Sequence, residues 1–239
     1  MPPVLRCPMA AFLLAGLALT GCGGSHGTPA AMNGSYAEAA KSATQILADA
    51  QRAVLSVRTF RVAGAIRQAS ADLRMDLHFA GPNGAYGSMA YAGVSFDVIR
   101  IGPTVYVKAP AGFYAKAGLA GNVTQSIAGR WIKAAAQSPG FGKFANFMSS
   151  AQFFRGILGS AASAGVVKMP GVRLVGGTPA VALSDPRNGS RLYVAVKGPA
   201  LPLRIDGPNG GGSMSIVGYG QPVTLTAPPG ARTFNGNRA

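Results

Sequence analysis

Three features of the chain predict an α+β fold built on an antiparallel sheet. Apolar and polar residues alternate with period two over several segments, one amphipathic helix precedes them, and 34 Gly and 17 Pro supply turns between short elements. The alternation is cleanest in Asp72–Phe79, where Leu73, Met75, Leu77 and Phe79 oppose Asp72, Arg74, Asp76 and His78. Phe60–Gln68 sets Phe60, Val62 and Ile66 against Arg61 and Arg67, and Leu192, Val194 and Val196 interleave with Arg191, Tyr193, Ala195 and Lys197. Successive side chains of a strand point to opposite faces, so this pattern means a sheet with one apolar face and one solvated face.

The first residues form a secretion signal. Arg6 is followed by about a dozen mainly apolar residues from Met9 to Thr20, the layout of a signal peptide. The run is too short for a membrane span, which takes about 20 apolar residues. It ends in Leu19-Thr20-Gly21-Cys22, which resembles the bacterial lipobox. That resemblance implies that residues 1–21 are removed and that Cys22 becomes an acylated N-terminus. The alternative is an ordinary secretory signal that happens to contain a buried cysteine. Residues 22–35 are small and Gly-rich and suit a flexible tether, with His26 a solvated linker residue. Cys7 leaves with the signal, so the mature chain has one cysteine and no internal disulfide.

After the tether, Tyr36–Val57 is predicted as a helix with Ile46, Leu47, Ala50, Val54 and Val57 on one face. Ser35 and Glu38 stand at capping-box spacing. Beyond Asp72–Phe79, the turn Gly81-Pro82-Asn83-Gly84 leads to strands at 85–91, 94–101 and 104–108. Residues 129–133 read as a short strand bearing the only Trp, and Gly142–Gly159 as a helix. Phe144, Phe147, Met148, Ala151, Phe154 and Leu158 form a stripe on that helix, either plain core or the lining of a cavity, for which Phe and Met are well suited. Strands resume at 166–175, 178–184, 190–197, 201–206 and 212–219. Asp206-Gly207-Pro208-Asn209-Gly210 echoes the first turn, and both are expected to close hairpins. Residues 36–226 make one domain of single-core size, and 227–239 a frayed tail.

Composition argues against catalysis. Two histidines, one cysteine reserved for acylation and a single Glu leave the usual catalytic sets hard to assemble. No GxSxG, HExxH or phosphate-binding loop occurs. His78 falls on the polar face beside Asp76 and Arg74, a solvated position, and the scattered Asp72, Asp76, Asp97, Asp185 and Asp206 are expected to form surface pairs. The formal charge is +15, and no acidic residue occurs from Val98 to Ser184, a stretch that includes Arg100, Lys108, Arg130 and Arg155. Such a field attracts anions. With neither zinc-finger spacing nor an RNA-binding aromatic motif, anionic lipid head groups are the expected partner and nucleic acid is not. A merely soluble basic surface is the alternative.

Several segments together resemble the actinobacterial LppX/LprG-type lipoproteins, which have a LolA-like fold. They are Val105-Tyr106-Val107-Lys108-Ala109-Pro110 leading to Phe113-Tyr114, Gly129-Arg130-Trp131-Ile132-Lys133, and Gly176-Gly177-Thr178-Pro179-Ala180-Val181. Leu192-Tyr193-Val194-Ala195 followed by Leu201-Pro202-Leu203-Arg204-Ile205 is the most distinctive. The resemblance implies a strongly curved antiparallel sheet, a half barrel, with helices packed on its concave face. Between them it implies an apolar cavity that holds acyl chains of lipids or lipoglycans in transit to the outer envelope. It implies no catalytic residues, cofactor or metal. Strand parity and the Phe/Met stripe then nominate Phe60, Val62, Leu73, Met75, Leu77, Phe79, Phe96, Val98, Trp131, Phe144, Phe147, Met148 and Phe154 as lining. The expected protein is a monomer, held by its lipid anchor on the extracytoplasmic face of the cell membrane, with an envelope transporter as a further partner. The competing expectation is a filled half barrel that serves as a protein-interaction or sensory module.

Overall fold

The structure is a computed structural model that describes residues 36–68, 71–116, 118–138 and 142–233, apart from the side chains of residues 68 and 142–144. Cys22, His26 and the rest of the signal and tether lie outside the described residues. The described residues belong to one compact unit.

The predicted N-terminal helix is present but broken. It consists of α1 (Ala37–Ala40) and α2 (Ala43–Val54). Ser35, the expected cap, lies outside the described residues; Ser42 caps α2, its hydroxyl accepting from Gln45 N–H while the Gln45 side chain accepts from Ser42 N–H. A capping box satisfies donors that a helix start leaves open, so the chain restarts there and α2 buries Ile46, Leu47 and Ala50. Lys168 reaches across to donate to the carbonyls of Ala39 and Lys41 at the break.

Among the described residues thirteen strands form one sheet. They are β1 (Thr59–Gln68), β2 (Ala71–Ala80), β3 (Gly84–Tyr91), β4 (Val94–Ile101), β5 (Thr104–Lys108), β6 (Trp131–Ala135), β7 (Val167–Lys168), β8 (Arg173–Val175), β9 (Thr178–Ser184), β10 (Arg191–Ala195), β11 (Pro202–Asp206), β12 (Gly212–Val217) and β13 (Arg232–Thr233). The spatial order is 13-6-5-4-3-2-1-12-11-10-9-7, with β8 also paired to β9. Every pairing is antiparallel except that of β13 with β6. Residues 232 and 233, assigned to a frayed tail by the sequence, thus close one edge of the sheet. Both Gly-Pro-Asn-Gly turns close hairpins, between β2 and β3 and between β11 and β12.

The inner face follows from register. Ile216, Val62, Leu77, Gly87, Val98, Val107 and Ile132 lie side by side across seven strands, and all the side chains in that row are buried. Gly87 is the one position in it without a side chain. Its φ is +148°, and a Cβ there would collide with the Asp76 carbonyl oxygen. Gly64, also on the inner face, has φ +144° and the same conflict with Ser213. Glycine inside a strand marks a close backbone approach or a bend, and these two positions let β12, β1, β2 and β3 curl inward. The curvature is therefore written as single glycines inside otherwise regular alternation.

Four helices follow β5 or β6. The helices α3 (Ala111–Lys116) and α4 (Gly121–Ile127) had no clear sequence signal: both are short, and each carries a glycine. The predicted Gly142–Gly159 helix is two: α5 (Gly142–Phe147) and α6 (Ser150–Ala164). Ser149 caps α6, accepting from Gln152 N–H, and Gly165 ends it in the left-handed conformation. Arg100 points inward and ties α5 to the sheet. Its guanidinium donates to the carbonyls of Ala145 and Gly102 and to the Asn83 side chain. Burial pulls the Arg100 pKa below its ordinary value.

A cavity between the long helix and the sheet

The helix α6 presents two apolar faces. Phe154, Leu158 and Ala161 are buried, and Phe153 and Phe154 meet Phe60 and Phe79 of the sheet in a ring cluster with centroids 4.4–5.7 Å apart. Aromatic rings at such separations attract beyond simple burial. This cluster fills the half barrel at the N-terminal end of β1.

Toward the other end of β1 the filling stops. A cavity of about 790 Å³ opens between α6 and the sheet. On the helix side Phe153, Gly156, Ile157, Ser160, Ala161 and Ala164 face it at three- and four-residue spacing. On the sheet side Ile66, Leu73, Met75, Leu192, Ile205 and Met214 form its floor.

Its rim is polar and comes from three chain reversals. Arg67 stands at the end of β1, Asp185, Arg187, Asn188 and Arg191 around the β9–β10 turn, and Asp206 at the end of β11. The reversals are stitched together: Arg67 N–H donates to the Gly211 carbonyl at 2.7 Å, and Asn209 N–H donates to the Asn188 carbonyl at 2.9 Å. Tyr193 Oη and Arg204 Nε donate to Asp206 at 2.8 and 2.6 Å. Asp185 is only 5% exposed and accepts from Arg187 through N–H, Nε and Nη2 at 2.9, 3.1 and 3.1 Å.

These bonds, those from the Arg187 side chain first, hold the Asp185 carboxyl below the usual carboxylate range. A carboxylate with a depressed folded pKa contributes stability that is complete above its unfolded value, about 4. That contribution is lost as pH falls through the lower folded value. Asp185→Asn is therefore expected to blunt acid sensitivity: its urea midpoint should drop less than that of the unchanged protein between about pH 5 and about pH 3.

Of the residues nominated from sequence, Leu73, Met75 and Phe147 line the cavity, and Phe147 is 43% exposed at its margin. Phe60, Val62, Leu77, Phe79, Phe96, Val98, Met148 and Phe154 are buried in the solid core instead. The Phe144 side chain lies outside the described residues. Trp131 belongs to the other face of the sheet: Ile132 takes the inward position opposite Val107, so its neighbour in the strand points outward. There Trp131 borders a shallow depression with Asp76, His78 and Tyr86.

Among the cations, the acid-free stretch supplies none of the cavity lining. Arg67, Arg187 and Arg191 do, and Arg191 makes no ion pair among the described residues. Six of the seven acidic residues are paired: Glu38 and Asp49 with Lys41, Asp72 with Arg67, Asp76 with Arg61, Asp185 with Arg187 and Asp206 with Arg204. Asp97 has no ion pair among the described residues, unlike the other four aspartates expected to form one. His78 stacks on Tyr86 on the outer face, 4.8 Å between centroids. No histidine or cysteine is among the lining residues of the cavity, so the groups it offers are apolar surface, hydroxyls, amides, guanidinium donors and two ion-paired carboxylates, Asp185 and Asp206.

No family profile and no curated protein matches this sequence. Solved structures do match. The chain is similar to LprF from Mycobacterium bovis, with a TM-score of 0.50 and 16% identity over 77% of this chain and 95% of that one. It is also aligned with the lipoprotein LppX from Mycobacterium tuberculosis, with a TM-score of 0.42 and 15% identity over 77% of this chain and all of the other. The segments quoted above pointed to proteins of this kind, and the likeness to LprF is one of fold: an α+β half barrel, a large open curved sheet with helices laid against it.

Proposed function

We propose that this protein is a lipid-binding lipoprotein, anchored through Cys22 on the extracytoplasmic side of the cell membrane, that carries acyl chains of lipids or lipoglycans toward the outer envelope. The observation that carries this reading is the cavity of about 790 Å³, with apolar side chains making up most of its helix wall and sheet floor. Its size falls among sites that bury small molecules, about 300–1,000 Å³. An acyl chain leaving a bilayer exposes methylenes at a cost of about 0.8 kcal/mol each. A cavity that receives ten of them offsets about 8 kcal/mol before ordering costs. The rim then meets the head group with Arg191 and the amides, without needing chemistry. The fold shared with LprF supports the reading.

A second reading has one observation in its favour. The Phe60–Phe79–Phe153–Phe154 cluster makes the other end of the half barrel solid, as an interaction or sensory module would require. Native mass spectrometry of protein purified from its own membranes separates the two. The carrier should arrive with a lipid mass that organic extraction removes. Empty protein from several lipid-rich preparations would overturn the proposal and leave the module.

A further inference from the structure

A second, smaller groove of about 330 Å³ lies on a different side of α6, between that helix, the C-terminal end of α2 and the β2–β3 turn. Its walls include Val54, Val57, Phe154 and Leu158, and its rim carries Arg58 and Arg155. No acidic residue lines it. Arg58 makes no ion pair among the described residues, and the Arg155 guanidinium donates only to the Gln152 side chain, at 3.0 Å. At the lip of the groove Leu55 caps α2 with 79% of its surface in water, more than any other large hydrophobic residue described.

An exposed leucine beside an apolar groove, ringed by guanidinium groups without carboxylate partners, has the chemistry of a bilayer-binding corner. The apolar tip gains by entering the acyl boundary, and each basic residue near an anionic leaflet adds attraction that fades within a Debye length. A soluble partner with an acidic rim would match the arginines equally. Leu55, however, lines the groove and still keeps 79% of its surface in water, and an acyl layer buries such an apolar tip without needing a matching pocket. We infer that this corner docks directly on an anionic lipid bilayer, with Leu55 inserted below the phosphates and Arg58 and Arg155 bonded to them. The inference does not rest on the lipid-carrier reading: it stands whether the large cavity is occupied or empty, and whether or not Cys22 is acylated.

The test uses a chain beginning at Gly23, which keeps the whole folded unit and has no cysteine to acylate. It is sedimented with phosphatidylcholine vesicles, with and without phosphatidylglycerol. Binding is expected only with phosphatidylglycerol, and it should fall steeply between about 0.1 and 1 M salt as screening shortens from about 10 to about 3 Å. Leu55→Asp and the pair Arg58→Glu with Arg155→Glu should each weaken it by at least about tenfold, given roughly fivefold per basic residue. Two comparison variants should change it by less than about twofold: Leu174→Asp, at another exposed apolar position (62%), and Arg173→Glu with Lys197→Glu, which matches the charge change elsewhere. All four sets alter exposed side chains, so circular dichroism should show each folded. Three results would overturn the inference. One is no binding to the anionic vesicles, and another is equal losses in corner and comparison variants. The third is loss of a dimer in sedimentation velocity on Leu55→Asp with vesicle binding unchanged, which would make the corner a contact between copies.

Discussion

Gly156→Leu is expected to empty the large cavity of lipid while making the protein more stable. Gly156 sits midway along α6, between Phe153 and Ser160 on the side that faces the cavity. A Cβ built there meets no atom within 4 Å, so a leucine side chain grows into free space rather than into packed neighbours. Replacing glycine in a helix interior gains up to about 1 kcal/mol in propensity, and Tm should rise by a few degrees. The same four carbons occupy volume that an acyl chain would need. Displacing about four methylenes at about 0.8 kcal/mol each costs about 3 kcal/mol, or roughly a hundredfold in Kd. Displacement of a fluorescent fatty acid, read beside the melting curve, measures both effects. A variant that melts higher yet binds the probe unchanged places the ligand elsewhere. The two effects carry opposite signs, which distinguishes a filled cavity from a damaged fold.

Gly87→Ala is expected to be among the most destabilising single changes in the sheet. The position combines φ +148° with a Cβ vector aimed at the Asp76 carbonyl oxygen. An alanine must therefore either distort β3 or push β2 away. Holding a non-glycine residue in such a conformation costs about 1–3 kcal/mol, and overpacking adds a similar amount, so a loss of about 3 kcal/mol or more is expected. Gly93→Ala is the comparison. Its φ is also positive, at +77°, but nothing lies within 4 Å of a Cβ there, so its loss should come from conformation alone, about 1–2 kcal/mol. Urea midpoints for the two variants separate the clash from the backbone preference. Equal losses would mean that β2 and β3 can part at little cost and that Gly87 does not set the curvature.

These two glycines mark the boundary between what was legible in the sequence and what was not. The period-two rows from Phe60 to Phe79 predicted the strands and their buried face, and in β2 the alternation survives from Leu73 to Phe79. Inward-facing Val62, Leu77 and Val98 were correctly placed on that face, and Leu73 and Met75 emerge on it at the cavity. Two helix breaks were missed because the decisive signals are local caps: Ser42 with Gln45, and Ser149 with Gln152, each inside a longer amphipathic pattern. Trp131 was assigned inward although parity with Ile132 sends it outward; a five-residue strand offers too few alternations to fix its phase. Gly64 and Gly87 were visible as interruptions of the pattern. An interior glycine alone, however, does not say whether a strand bends, bulges or simply lacks a side chain.

The sequence by itself determined an inward apolar face and an outward charged one, because strand periodicity is a property of the backbone and needs no partner. It also determined an anion-attracting surface, since +15 is a matter of counting. Only the tertiary structure decided where the interior is solid and where it is hollow. Packing depends on which side chains α6 brings over which strands: two phenylalanines meet Phe60 and Phe79 at one end, while glycine, alanine and serine face the sheet at the other. Strand pairing, independent of α6, draws the polar rim from three turns distant in sequence, so Arg67, Arg187 and Arg191 come together across more than a hundred residues.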